Sequence, residues 1–378
     1  MRLDAGILPE DWPNGAFAAR LDTPEGPCAV ALLDGEAFDM TPAFGTTSRW
    51  LNEADPVRAV RARGVPMALD LPGEALPRLL APVDLHAVKA CGVTYVRSML
   101  ERVIEERCRG DASRAESVRA EVRGIIGEDL AAVQPGGAKA MRLKKALIEK
   151  GWWSQYLEVG IGPDPEVFTK CQPMAAVGSG ADIGVHPSSA WNNPEPEAVL
   201  AVGADGRVRG AMLGNDVNLR DVEGRSALLL GRAKDNNAAC ALGPLLRLFD
   251  AGFTLDDVRR AVITLTIEGE EDGFRLEETG EVGEISRDPE ELVAQLIGPH
   301  HQYPDGAALF LGTPFSPTED RGAPGQGFTH KPGDVVRIAS PRLGALVNRV
   351  MPTDRCPPWR FGTGALFESL ARRGLPRA

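Results

Sequence analysis

The sequence predicts an α+β protein: a small β-rich unit over residues 1–82, then a larger domain over 83–378 built on a β core and carrying a helical insertion at about 97–150. Three observations predict this. Short apolar runs bounded by turn residues recur from about Val159 to the C-terminal region. Between Arg97 and about Val133 the apolar spacing changes from alternation to a helical period. Near the N-terminus, Cys28-Ala-Val-Ala-Leu-Leu, an Asp34-Gly35 turn and Ala37-Phe38 read as a hairpin.

Taken in order, the N-terminal hairpin gives way to a stretch punctuated by Pro56, Pro66, Pro72, Pro77 and Pro82, expected to be a looped linker. Met99, Leu100, Val103, Ile104 and Cys108 then form one helical stripe, and Val118, Val122, Ile125 and Ile126 a second, with a break at Gly110-Asp111. Pro135-Gly136-Gly137 ends this section, and a short basic helix is expected around Arg142–Lys150. Strands are expected at Ala198–Val202, Val208–Leu213, Ala261–Ile267, Ala307–Leu311 and Val335–Ile338. Two helices are expected among them: Ala238–Asp250, kinked at Gly243-Pro244, and Asp288–Leu296, where Asp-Pro-Glu-Glu is a strong helix start.

Composition narrows the function. The 378 residues are 43% apolar and 25% charged, with a formal net charge of -11. Disorder is excluded by that apolar content. An acidic chain without a basic stripe has nothing to replace phosphate counterions, which excludes nucleic acid as a partner. No apolar run reaches the roughly 18–20 residues of a membrane span, and no basic-then-apolar leader pattern opens the chain, so no membrane partner is expected. Residues 268–291 hold 11 acids against Arg275 and Arg287, read as an exposed, solubilising hairpin and helix start. Cys28, Cys91, Cys108, Cys171, Cys240 and Cys356 are scattered, as expected for reduced thiols in a cytoplasmic protein. Zinc ligation lacks clustered Cys or His. Of 42 basic residues only eight are lysine, so each lysine hints that a tunable amine was wanted.

The chemistry concentrates between Glu195 and Lys234. Asn193-Pro-Glu-Pro-Glu197-Ala-Val-Leu-Ala-Val202 leads through Gly-Ala-Asp205-Gly206 into Arg207-Val-Arg-Gly-Ala-Met-Leu213, a hairpin about Asp-Gly. Residues two apart on a strand share a face, so Glu195 and Glu197 point the same way. With Asp205-Gly206 as the turn, Glu195 lies opposite Asp216, and cross-strand partners share a face. Three converging carboxylates repel unless a cation joins them, and all-oxygen ligation favours Mg²⁺, with Mn²⁺ or Ca²⁺ as substitutes. Lys234, close before a predicted helix, can bind a substrate carboxylate or, with its pKa lowered, move protons.

Gly214-Asn215-Asp216-Val217-Asn218-Leu219-Arg220-Asp221, with Glu195-x-Glu197 before it and Ala233-Lys234 after it, resembles the fumarylacetoacetate hydrolase family. Leu311-Gly312-Thr313-Pro314 looks like that family's G-T-P turn, and Lys331-Pro-Gly-Asp-Val-Val336 like its late G-D-x-V strand. The resemblance runs from about Ala90 to Met351 and implies a mixed β-sandwich roll, Mg²⁺ on the three carboxylates, chemistry on 2-oxo acids, and homodimers or homotetramers. One departure is informative. Where hydrolases of the family carry G-x-N-Y-x-x-H, this chain has Gly92-Val93-Thr94-Tyr95-Val96-Arg97-Ser98, so Ser98 replaces the water-activating His, while Glu101 matches its partner acid.

The helical insertion, Pro165–Lys170 and Asn193–Glu197 look more like the 2-keto-3-deoxy-D-pentonate (xylonate or arabinonate) dehydratases of the family, in which Glu166 matches a further functional glutamate. The resemblance therefore implies elimination of water from such an acid to give 2-oxoglutarate semialdehyde. Lys234 or Glu166 would take the C3 proton, Glu101 or Glu166 would protonate the leaving hydroxyl, and Thr313 and Arg97 would bind substrate. Two alternatives remain at this level: an acylpyruvate or fumarylpyruvate hydrolase or oxaloacetate decarboxylase of the same family, and a non-catalytic β module that binds metal or carboxylate.

Overall fold

A computed structural model describes residues 1, 3–69, 76–126 and 133–376, the side chains of 122–126 excepted. Pro72 and the side chains of Val122, Ile125 and Ile126 therefore lie outside the described residues. Two sheets dominate. The larger has 11 strands, ordered Val65–Met67, Glu36–Asp39, Cys28–Leu33, Ala16–Leu21, Cys240–Leu248, Val208–Asp216, Pro196–Val202, Ala307–Phe310, Ala87–Gly92 and Glu166–Cys171, with Leu79–Leu80 pairing Ala16–Leu21 off that path. All these pairs are antiparallel except Ala307–Phe310 against Ala87–Gly92. The smaller sheet has five strands, ordered Arg275–Glu281, Val262–Glu268, Val335–Ser340, Gly344–Pro352 and Asp182–Val185.

The sheets pack face to face, which is why the central strands read as unbroken apolar runs. Along Pro196–Val202, Ala198, Leu200 and Val202 enter the core shared with Leu265, Ile267, Ile338 and Leu346 of the smaller sheet. Val199 and Ala201, pointing the other way, join Trp50, Met212, Leu246 and Phe310. A strand buried on both faces needs no polar alternation, and each fully buried Leu or Phe contributes about 1.5–3 kcal/mol. The architecture is the expected mixed sandwich.

Helices cover one end. Val96–Cys108, Ala115–Ile126, Ala138–Glu149 and Gln155–Ile161 form the insertion, packed through Val103, Ile104, Leu147 and Tyr156. The Asp288 cap accepts from the Glu290 N–H at 2.8 Å and starts Pro289–Leu296 as expected.

Two expectations are corrected. Residues 240–248 are a central strand, not a helix: Cys240–Leu248 lies between Ala16–Leu21 and Val208–Asp216. Its apolar run is buried on both faces, which periodicity cannot tell from a buried helix. Gly243-Pro244 marks the point where its pairing with Val208–Asp216 shifts register, and such irregularities tolerate proline. The proline-punctuated stretch contains a helix, Pro56–Arg63, because Asp55 caps it by accepting from the Arg58 N–H at 2.9 Å. The N-terminal strands also continue the large sheet directly, with Phe17 opposite Arg247 and Ala18 opposite Leu246.

Candidate active site

The hairpin reaches the expected register at the site by a different route: Gly203 pairs with Arg207 about a three-residue turn, not a two-residue one, and a bulge at Arg209, opposite Ala201 and Val202, restores the pairing. Pro196 pairs with Asn215 and Glu197 with Gly214, and the Asp216 N–H donates to the Glu195 carbonyl at 3.0 Å. Glu195, Glu197 and Asp216, all buried, each offer a carboxylate oxygen, and these three oxygens lie within 4.8 Å of one another. An ion held at about 2.1 Å from each needs oxygens no more than about 4.2 Å apart, a small adjustment. The Gly312 N–H, in the turn after Ala307–Phe310, donates to Glu197 Oε2 at 2.6 Å. Glycine is required there: φ is +99°, and a Cβ would stand 2.0 Å from Thr94 Oγ1.

Cations grip the same carboxylates. Lys234 Nζ lies 2.5 Å from Glu195 Oε2 and 3.0 Å from Asp216 Oδ2. Lys170 Nζ, fully buried, lies 2.8 Å from Asp216 Oδ1 and donates to the Val217 carbonyl at 3.1 Å. Arg102 reaches in from the Val96–Cys108 helix to the other oxygen of Glu195 and bonds Glu105 at 2.5 Å. Burial raises the Asp216 carboxyl, but Lys170 and Lys234 outweigh it and hold it below the usual range. Burial and repulsion from Asp216 and Glu195 push Glu197 well above that range. Burial works against the Lys234 ammonium, yet Asp216, Glu195 and Glu223 outweigh it and hold its pKa above the ordinary lysine value. Among the chain's own charges Lys234 is therefore a donor, the reverse of the lowered pKa a lysine base needs.

These groups surround a cavity of about 20 Å³ lined by Gly92, Ser98, Arg102, Glu166, Phe168, Glu195, Glu197, Asp216, Glu223, Lys234 and Thr313, among others. That is room for an ion or one water. Glu166, Glu195, Glu197, Asp216 and Glu223 bring five carboxylates, while Arg102, Lys234 and, behind Asp216, Lys170 bring three cations. The all-oxygen donor set of Glu195, Glu197 and Asp216 fits Mg²⁺.

Glu166, partly buried, sits opposite Gly92, where any Cβ would come within 1.9 Å of Glu166 Oε2, so only glycine leaves room for this carboxylate. Burial first, then repulsion from Glu223, raises its pKa to about 7, a value suited to proton transfer at neutral pH. Thr313 lines the cavity, its hydroxyl 2.6 Å from the Phe315 carbonyl. Ser98 lines it as well, and among the described residues no histidine does.

Two expected residues are not brought into this cavity. Glu101 is held by Arg119 at 3.0 Å and Arg220 at 2.9 Å; burial raises its pKa, but the two guanidiniums outweigh that and keep it ionised. Arg97 has a half-exposed side chain paired with Glu278. It lines two neighbouring clefts of about 760 and 280 Å³.

Lys170, Arg102, Glu105 and Glu223 were not anticipated as site residues. Strand alternation carries the signal for Lys170, since Glu166, Phe168 and Lys170 share a face. Helical spacing carries it for Ser98, Arg102 and Glu105, a polar stripe along the Val96–Cys108 helix. Among the described residues no helix is long and apolar enough to cross a membrane.

Comparison with known proteins agrees with this geometry. Residues 161–351 match the family described as "Fumarylacetoacetate (FAA) hydrolase C-terminal". The chain is 32% identical over 189 residues to a 2-dehydro-3-deoxy-D-arabinonate dehydratase of Saccharolobus solfataricus, covering 49% of this chain and 58% of that protein. It is 31% identical over 195 residues to a Haloferax volcanii protein named "Probable 2-keto-3-deoxyxylonate dehydratase", covering 52% and 63%. The chain thus spans roughly three fifths of the curated relatives it matches. A solved 2-keto-3-deoxy-D-arabinonate dehydratase, complexed with magnesium and 2,5-dioxopentanoate, shares the fold with a TM-score of 0.60 at 21% identity, over 89% of this chain and 99% of that one. With a family match across half its length and that family's acidic hairpin buried at its centre, the chain belongs to the fumarylacetoacetate hydrolase family.

Proposed function

We propose that this protein is a Mg²⁺-dependent dehydratase that converts a 2-keto-3-deoxy-D-pentonate to 2-oxoglutarate semialdehyde. The observation that carries the reading is a buried carboxylate triad beside Lys234 and Glu166, in a cavity where Ser98 stands in place of a water-activating histidine. The names of the two curated relatives support the substrate class, and the solved relative holds magnesium together with 2,5-dioxopentanoate, which is the same semialdehyde.

Glu195, Glu197 and Asp216 would hold the ion. Bound there, Mg²⁺ supplies Lewis acidity toward a 2-oxo acid, which makes its C3 protons removable. The Lys234 ammonium would meet the negative charge that develops on the substrate. Glu166, with its pKa near neutrality, would hold the proton that leaves with the C4 hydroxyl as water. Isomerisation of the resulting C3=C4 alkene through the C5 enol gives the aldehyde. Thr313 and Arg97 would contact substrate, Arg97 from the adjoining clefts. A five-carbon acid exceeds the present cavity of about 20 Å³, so its entry requires the lining side chains to rearrange.

Six buried, unpaired thiols support a reducing compartment such as the cytoplasm. The family resemblance carries the further expectation of a homodimer or homotetramer. Sedimentation of the purified chain tests the latter.

The function is tested by incubating the Mg²⁺-loaded protein with the stereoisomeric 2-keto-3-deoxy pentonates and, separately, with acylpyruvates and oxaloacetate. Semialdehyde from a pentonate is the expected result. Cleavage of acylpyruvates or loss of CO₂ from oxaloacetate, with the pentonates untouched, overturns the reading.

A further inference from the structure

We propose that Glu223 is a catalytic base, the carboxylate that takes the C3 proton in the cavity it lines together with Glu166. This assignment rests on the dehydratase reading and names the second proton-transferring group that an elimination of water requires.

The other buried carboxylates near the cavity are committed elsewhere. Both oxygens of Glu195 are engaged, by Arg102 and Lys234; Asp216 belongs to the candidate metal cluster and is ion-paired with Lys170 and Lys234, although its Oδ1 accepts no hydrogen bond. Glu197 belongs to the same candidate metal cluster and accepts from Gly312. Glu105 is paired with Arg102 and Arg220, and Glu101 with Arg119 and Arg220. Glu223 differs. Its side chain is buried and lines the cavity, yet Oε2 has no hydrogen-bond partner. The Arg102 NH1 stands 3.3 Å from that oxygen without aligning a hydrogen bond to it. Glu223 is thus a buried carboxylate in the cavity that is neither in the metal cluster nor hydrogen-bonded at Oε2, which leaves that oxygen free to accept a proton.

The backbone holds the residue in place. Glu223 ends the short Arg220–Glu223 helix, and its carbonyl accepts from the Tyr156 hydroxyl at 3.3 Å and from the Ser226 N–H at 3.2 Å. Repulsion from Glu223 is the leading charge effect on Glu166, as expected of two carboxylates facing one space.

The step balances. The C3–H bond breaks, its proton passing to Glu223 and its electron pair into the enolate. The C4–O bond breaks, and the departing hydroxide takes the Glu166 proton and leaves as water. Exchange with solvent returns the proton from Glu223 and restores Glu166.

The test uses the full chain with Mg²⁺ in D₂O and reads three quantities: deuterium entering C3 of the pentonate, semialdehyde release, and Mg²⁺ affinity by calorimetry. Glu223→Gln is expected to lower both exchange and turnover by roughly 10²-fold or more while Mg²⁺ affinity stays within about threefold, as expected of a group outside the ligand set. Glu166→Gln is expected to lose turnover and keep C3 exchange. Glu223→Asp, which keeps the acid should Glu223→Gln fold poorly, is expected to lower kcat more than it raises KM. Wild-type exchange in Glu223→Gln, or exchange restored by saturating Mg²⁺ alone, overturns the assignment of Glu223. Wild-type protein that dehydrates no pentonate overturns the dehydratase reading itself.

Discussion

Lys170 Nζ lies 2.8 Å from Asp216 Oδ1, so with Lys234 at Oδ2 one buried aspartate is held between two lysines. This pairing keeps Asp216 ionised in a place where burial alone favours the neutral acid. It also fixes the strand that carries Glu166, because Lys170 ends that strand's cavity-facing row.

Removing the ammonium leaves a buried carboxylate with one partner fewer. Lys170→Met is expected to destabilise the protein by about 3–5 kcal/mol, the range for breaking a buried ion pair. The midpoint of urea unfolding measures it. Unchanged stability would mean that Lys170 contributes nothing to holding Asp216.

Gly92→Ala would drive a methyl group to within 1.9 Å of Glu166 Oε2. The expected result is displacement of the Glu166 carboxylate and at least a tenfold loss of turnover. Stabilisation by Mg²⁺ should survive, since the three proposed ligands, Glu195, Glu197 and Asp216, lie on other segments. Wild-type turnover in this variant would show that Glu166 need not occupy its present place.

The pH dependence follows from Glu166. Its pKa is raised to about 7, so the folded protein keeps a proton there that the unfolded chain loses near 4.5. Its contribution to stability is present below the unfolded value and is lost as pH rises through about 7. As an acid it also loses its proton through the same range, so kcat is expected to fall on the alkaline side of about 7. Glu166→Gln should remove that limb from the stability profile. A profile identical to the wild type's would contradict the assignment.

Strand alternation makes part of the site legible in the sequence, because it puts Glu195 and Glu197 on one face. The pairing of Glu195 with Asp216 is reached in the sequence through a turn the structure does not have: three residues, 204–206, form the turn, and a bulge at Arg209 restores the register that a two-residue turn would give. The strand Cys240–Leu248 reads as a helix in the sequence because burial on both faces erases its period. Lys170, Arg102 and Glu223 come from a distant strand and two helices, and their convergence depends on packing that no local spacing encodes. Glu101 shows the opposite error: its position relative to Ser98 suggested proton transfer, but Arg119 and Arg220 neutralise it outside the cavity.

The central claim is that Glu195, Glu197 and Asp216 hold one divalent cation on which dehydration depends. The most direct measurement is semialdehyde release from a 2-keto-3-deoxy-D-pentonate by chelator-treated protein titrated with Mg²⁺, beside Asp216→Asn. The account predicts no turnover in excess chelator, a rate that saturates at one ion per chain, and no recovery in the variant. Full turnover in excess chelator would contradict it.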